Sequence, residues 1–154
     1  MTVTVGKKVP GFTSASTSGK DWSLGDGAGE KLVLYFYPKD MTSGCTMESQ
    51  QFRDLHAAFR KAKVRVLGIS RDSIKSHDKF RTKEKLPFDL LSDPEEKLCK
   101  IFDVIREKSL YGRKYMGIER STFLIDGNGV LRREWRKVKV DGHAEEVLEA
   151  AKSL

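Results

Sequence analysis

KLVLYFYPKDMTSGCTMESQQF, residues Lys31 to Phe52, decides how this chain is read. Leu32 to Tyr37 is an unbroken apolar run of the kind that fills a strand buried on both faces. Pro38 stops it, because proline has no N–H to donate to a neighbouring strand. From about Ser43 to Lys63 the apolar residues Phe52, Leu55, Phe59 and Ala62 return at three- and four-residue steps, which predicts an amphipathic helix. Cys45 stands at the junction. A structural thiol would sit better inside the strand or on the apolar face of the helix.

Working outward, VRVLGIS (64–70) predicts a second strand, SIKSHDKFRTKEK (73–85) a polar helix and FDLLSD (88–93) a third strand. Asp93-Pro94 then predicts a helix with proline in its first turn and a stripe of Leu98, Ile101, Phe102 and Ile105. STFLID and VLRREW flank GNG, a hairpin signal. HAEEVLEAAKSL predicts a closing helix. This order predicts an α/β fold, with a mixed central sheet and helices on both faces. In such sheets, sites form where the C-terminal end of a strand feeds a helix, and Cys45 is there.

A chain of 154 residues is expected to be one domain, 1–154, large enough to hold a core without staples. Two cysteines are too few for a disulfide scaffold. The N-terminal sequence shows no secretory signal, and the longest apolar run, LVLYFY, is far short of a membrane span. A reducing cytoplasm is the compartment expected. The net charge is +7, and RREWRKVKV (132–140) interleaves cations with Trp135, which raises a nucleic-acid-binding or holdase protein as the non-enzymatic alternative. The blander reading of that stretch is an exposed strand with a solvated basic face. His56, His77, His143, Cys45 and Cys99 show no metal-ligand spacing. Cys45 is followed by Thr46, Met47 and Glu48, so there is no Cys-x-x-Cys redox pair.

Thr42 or Ser43 as N-cap places Cys45 in the first turn of its helix, where unpaired N–H groups and the positive end of the helix dipole favour a thiolate. Reactive thiols occupy such positions, and so do small buried hydrophobes in turns. Lowering a thiol pKa from about 8.5 to about 6 raises the thiolate fraction at neutral pH from roughly 3% to roughly 90%. Nucleophilicity falls with the same shift, so the net gain is only severalfold. A thiolate alone is therefore not a catalyst.

Pro38, Thr42 and Cys45, spaced P-x-x-x-T-x-x-C, resemble the active-site signature of the peroxiredoxins. LGISRDS, FDLLSDPEEKL, YGRKYMGIERSTFLID and GVLRREW extend the resemblance to the bacterioferritin-comigratory, or Q-type, branch over nearly the whole chain. The resemblance implies a thioredoxin-like fold and thiol-dependent reduction of hydrogen peroxide and organic hydroperoxides through a cysteine sulfenic acid. It implies no metal and no organic cofactor. Its reductant would be thioredoxin, glutaredoxin or a low-molecular-weight thiol, and its state a monomer or weak homodimer.

The roles follow the motif. Cys45 is the expected peroxidatic nucleophile. Thr42 and Arg120, the latter in GIERSTFLID, are the expected donors to the peroxide and to the oxygen that leaves; a well-placed donor of this kind is worth about 10²–10³ in rate. Pro38 is expected to shape and shield the loop. Glu48, three residues after Cys45, shares its helical face. A bare carboxylate there would oppose thiolate formation, so Glu48 fits only if Arg120 pairs with it. Many relatives carry a resolving cysteine five residues after the first; here that position is Gln50. Others carry it in the next helix, where SIKSHDKFRTKEK has none. Cys99 is the remaining candidate for a resolving thiol, but it borders the apolar stripe of its helix. Reduction of Cys45 by an external thiol is the expectation preferred here.

Overall fold

The computed structural model describes residues 2–27 and 29–154. Its seven-stranded sheet is ordered β2-β1-β5-β4-β3-β8-β9. The apolar run forms β3 (Lys31–Phe36). It lies between β4 (Val64–Ser70), its parallel neighbour, and β8 (Ser121–Ile125), its antiparallel one. On the far side of β4, β5 (Leu90–Ser92) is again parallel. The edges are antiparallel: β9 (Leu131–Trp135) on β8, then β1 (Thr13–Ser16) on β5 and β2 (Trp22–Ser23) on β1. The expected mixed sheet is therefore present, and its helices lie on both faces.

Alternation along β3 divides the core in two. Val33, Tyr35 and Tyr37 face one side, where Cys45 and Phe52 of α1 (Ser43–Asp54), Phe59 of α2 (His56–Lys61), Phe80 of α3 (Ile74–Glu84) and Val147 of α5 (His143–Lys152) pack. Leu34 and Phe36 face the other, with Leu98 and Cys99 of α4 (Lys97–Ile101), Phe102 and Phe123. Gly68 in β4 makes room for an aromatic: a Cβ there would stand 2.7 Å from the Tyr35 ring.

Three expectations change. The helix predicted over 43–63 is two, broken at Leu55, although the Leu55 N–H still donates to Gln51 O at 3.2 Å. The helix predicted to open at Pro94 begins only at Lys97. Asp93 explains this, because its carboxylate accepts the N–H groups of Leu98 (3.1 Å) and Cys99 (2.8 Å) and fixes the start beyond the proline. Ile105, expected on that helix, instead opens β6 (Ile105–Leu110), which pairs with β7 (Arg113–Ile118) in a separate two-stranded ribbon. The ribbon turns at Tyr111 and Gly112, both at positive φ (51° and 78°), as a two-residue hairpin loop of this hand requires. The polar stretch FTSASTSGKDWS (12–23) supplies β1 and β2.

Candidate active site

β3 delivers the chain to the C-terminal edge of the sheet, where residues 38–42 turn it into α1. Thr42 is the N-cap, with extended φ and ψ (−80°, 153°), but its side chain caps nothing. The Thr42 hydroxyl donates instead to Lys39 O at 2.8 Å and closes the loop on itself. The amides of the first turn are thus left without a side-chain cap, and Cys45 lies in that turn with 1% of its surface exposed. Pro38 is half-buried and Thr42 is exposed.

Arg120 arrives from the opposite strand direction, as the residue immediately before β8. Its Nη2 donates to Cys45 Sγ at 3.3 Å and its Nη1 to Glu48 Oε1 at 2.6 Å. One guanidinium therefore holds the thiol and the carboxyl together, a use of its fixed fork that a lysine cannot copy. Gly44 makes the approach possible, since a Cβ there would stand 3.2 Å from Arg120 Nη2.

Glu48 is fully buried, and its second oxygen, Oε2, has no hydrogen-bond partner among the described residues. Burial pushes its carboxyl up from 4.5 to about 7, against the charge and hydrogen bond of Arg120, which pull it down. Arg120 loses hydration, but the charges of Glu48 and Cys45 more than compensate and raise its pKa further. The guanidinium is charged in every state of the site. When Glu48 is neutral, that charge faces the sulfur without competition.

Cys99 is elsewhere. It is buried in α4 on the opposite face of the sheet from Cys45. Burial first, and then the hydrogen bond and charge of Asp93, push its thiol far above the usual range. Pro38, Thr42, Cys45, Glu48 and Arg120 thus meet at one end of the sheet, and Cys99 does not join them.

The basic stretch 132–140 has much of its charge paired within the fold. Arg132 bonds Asp126 at 3.2 Å, Arg133 lies 4.7 Å over the Trp135 ring, and Arg136 bonds Glu134 and the carbonyls of Phe102 and Asp103. His143, at the start of α5, faces Thr122 Oγ1 at 2.8 Å, and burial pushes it down to about 4. Sequence spacing gave no metal-ligand set, yet the fold brings Asp40, Asp72 and His77 together, with one ligand atom from each within 4.8 Å of the others.

The model of the AhpC/TSA family matches residues 5–134. The chain belongs to the peroxiredoxins. The Bacillus subtilis protein named Peroxiredoxin Bcp is 49% identical over 154 residues, covering 100% of this chain and 98% of the relative. A Coxiella burnetii protein named as a putative peroxiredoxin bcp is 51% identical over 148 residues, covering 96% and 98% of the two chains. Among solved structures, a cysteine-to-serine mutant of Xylella fastidiosa PrxQ superposes with a TM-score of 0.93 at 43% identity, over 99% of this chain and 98% of that one. Xanthomonas campestris Peroxiredoxin Q gives 0.88 at 50% identity, over 92% and 90%. These neighbours place the peroxiredoxin in the Q-type branch and its sheet in the thioredoxin-like fold. It is accordingly a thiol-dependent peroxidase, with a hydroperoxide as substrate and a thiol as reductant. Among the described residues no helix is long and apolar enough to cross a membrane.

Proposed function

We propose that Cys45 is the peroxidatic nucleophile and that the peroxiredoxin recycles it with an external thiol. The supporting observation is the Arg120 fork, 3.3 Å from Cys45 Sγ and 2.6 Å from Glu48 Oε1. The Cys45 thiolate attacks one peroxide oxygen. An S–O bond forms, the O–O bond breaks, and the second oxygen leaves as hydroxide or alkoxide and takes up a proton. Arg120 and the uncapped amides of α1 stabilise the charge that develops on it. Pro38 and Thr42 shape the loop around the substrate, and Glu48 fixes the rotation of Arg120.

The product is a sulfenic acid on Cys45. A first external thiol displaces its oxygen as water and leaves a mixed disulfide; a second releases Cys45 and departs as the disulfide. Thioredoxin, glutaredoxin or a low-molecular-weight thiol of the reducing cytoplasm fills this role. Cys99 is a structural residue in this scheme. A disulfide needs Cα atoms within about 7 Å, and the sheet separates the two cysteines. The protein acts as a monomer or weak homodimer, and the contacts of Arg120 with Cys45 and Glu48 lie within one chain.

The test is Cys45→Ser in an assay that follows peroxide loss with thioredoxin, glutaredoxin or glutathione as donor. Peroxide consumption is expected to disappear with every donor while the circular dichroism spectrum is unchanged. Retention of more than about a few per cent of the wild-type rate would place the chemistry elsewhere.

A further inference from the structure

Beneath the loop that enters α1, a buried polar cluster centres on Asp40, a residue only 5% exposed. Tyr37 Oη donates to Asp40 Oδ1 at 2.6 Å and Ser76 Oγ to Oδ2 at 2.8 Å. His77 Nδ1 lies 2.7 Å from the same Oδ2. The other ring nitrogen, Nε2, is 2.8 Å from Leu91 O. A carbonyl only accepts, so Nε2 carries a proton, and the Nδ1–Oδ2 contact shares a second one between imidazole and carboxylate. The main chain of Asp40 is tied as well: its N–H donates to Asp72 Oδ2 at 2.8 Å, an oxygen also held by Ser70 Oγ. Asp40 is thereby fastened to the end of β3, to the β4–α3 connection and to α3. Through His77 it reaches β5.

The clustered side-chain atoms of Asp40, Asp72 and His77 all have protein partners. The cluster is closed by hydrogen bonds and makes no case for a cation. We propose that it is a positioning device: Asp40 and His77 hold residues 38–42 in the conformation in which the peroxide is attacked. The proposal rests on the reading of Cys45 as nucleophile.

Two features separate this role from general stability. A buried hydrogen-bonded pair contributes little that apolar packing would not, and what it adds is a fixed geometry. Phe80 already packs α3 against the sheet. Second, the residue after Asp40 needs holding. Met41 sits at φ 64° without being glycine, and the residue is 45% exposed. A non-glycine residue held in this left-handed region is strained by the contact of its Cβ with the backbone. With Asp40 loose, Met41 is free to relax, and Thr42 and Pro38 shift with it. A misplacement of about 1 Å at a reacting centre can cost about 10²-fold in rate.

Asp40→Asn keeps the volume and removes the carboxylate. Two second-order rates are compared on folded protein at one pH, oxidation of Cys45 by hydrogen peroxide and its alkylation by iodoacetamide. Alkylation needs the thiolate but not the placement of Pro38 and Thr42. The peroxide rate is expected to fall at least about tenfold while alkylation stays within about threefold. A merely structural Asp40 would lower the melting temperature and leave the ratio of the two rates unchanged, which would overturn the proposal. If Asp40→Asn does not fold, Ser76→Ala and His77→Gln each weaken the cluster, and each should lower the ratio about threefold or more. An unchanged ratio in both overturns it equally. Failure of the underlying reading is distinct, because peroxide loss in the wild type would then survive Cys45→Ser.

Discussion

Replacing Glu48 with glutamine tests the electrostatics of the site without changing its shape. Burial holds the folded carboxyl near 7, against 4.5 for an ordinary one. Between those two values the folded protein keeps a proton that the unfolded chain has released. The stabilisation from this group is therefore fully present below 4.5 and lost as pH rises through about 7. At about 1.4 kcal/mol per pKa unit, the loss across that window is about 3 kcal/mol. Glutamine fills the same space, still accepts from Arg120 Nη1 and does not titrate. Urea unfolding of both proteins across the window isolates the group, since every other titration common to them cancels in the difference. The stability of wild type minus that of Glu48→Gln is expected to fall by about 3 kcal/mol from the acid side to the neutral side. A difference that stays flat would mean that the carboxylate is ionised throughout and that Arg120 outweighs burial, which would refute the reasoning.

Arg120→Lys keeps the charge and loses the fork, so the second-order rate with hydrogen peroxide should drop at least about tenfold in stopped-flow measurements. Gly44→Ala puts a methyl 3.2 Å from Arg120 Nη2; the guanidinium end yields, so the peroxide rate falls while the melting temperature barely moves. Cys99→Ser should keep most turnover with an external thiol donor, whereas a stall after one turnover would identify Cys99 as the resolving residue.

β3, β4 and α1 were legible because burial on both faces writes an unbroken apolar run, and burial on one face writes a helical period. The start of α4 was not, because Asp93 reaches two amides beyond Pro94 and overrides the local preference of proline for a first turn. The ribbon of β6 and β7 is largely exposed, so it carries no alternation to read. Its one local signal was the Tyr111-Gly112 pair between two polar runs. At the site, Cys45 and Glu48 could be paired by helical spacing and Arg120 added by its motif, and the fold brings the three into contact. The hydroxyl of Thr42 went against the capping preference because Lys39 O lies within its reach. The cluster under the loop left no trace in the sequence. Asp40 and His77 belong to different elements, and only the packing of α3 on β3 and β5 makes them partners.

Peroxide is expected to place an oxygen on Cys45 and to leave Cys99 alone. Intact-mass and peptide mass spectrometry of the reduced protein, before and after one equivalent of hydrogen peroxide with dimedone present, measures this directly. A single dimedone adduct is expected on the peptide containing Cys45, with Cys99 recovered as a free thiol and no change in oligomeric mass. A Cys45–Cys99 disulfide, or an adduct on any other residue, would contradict it.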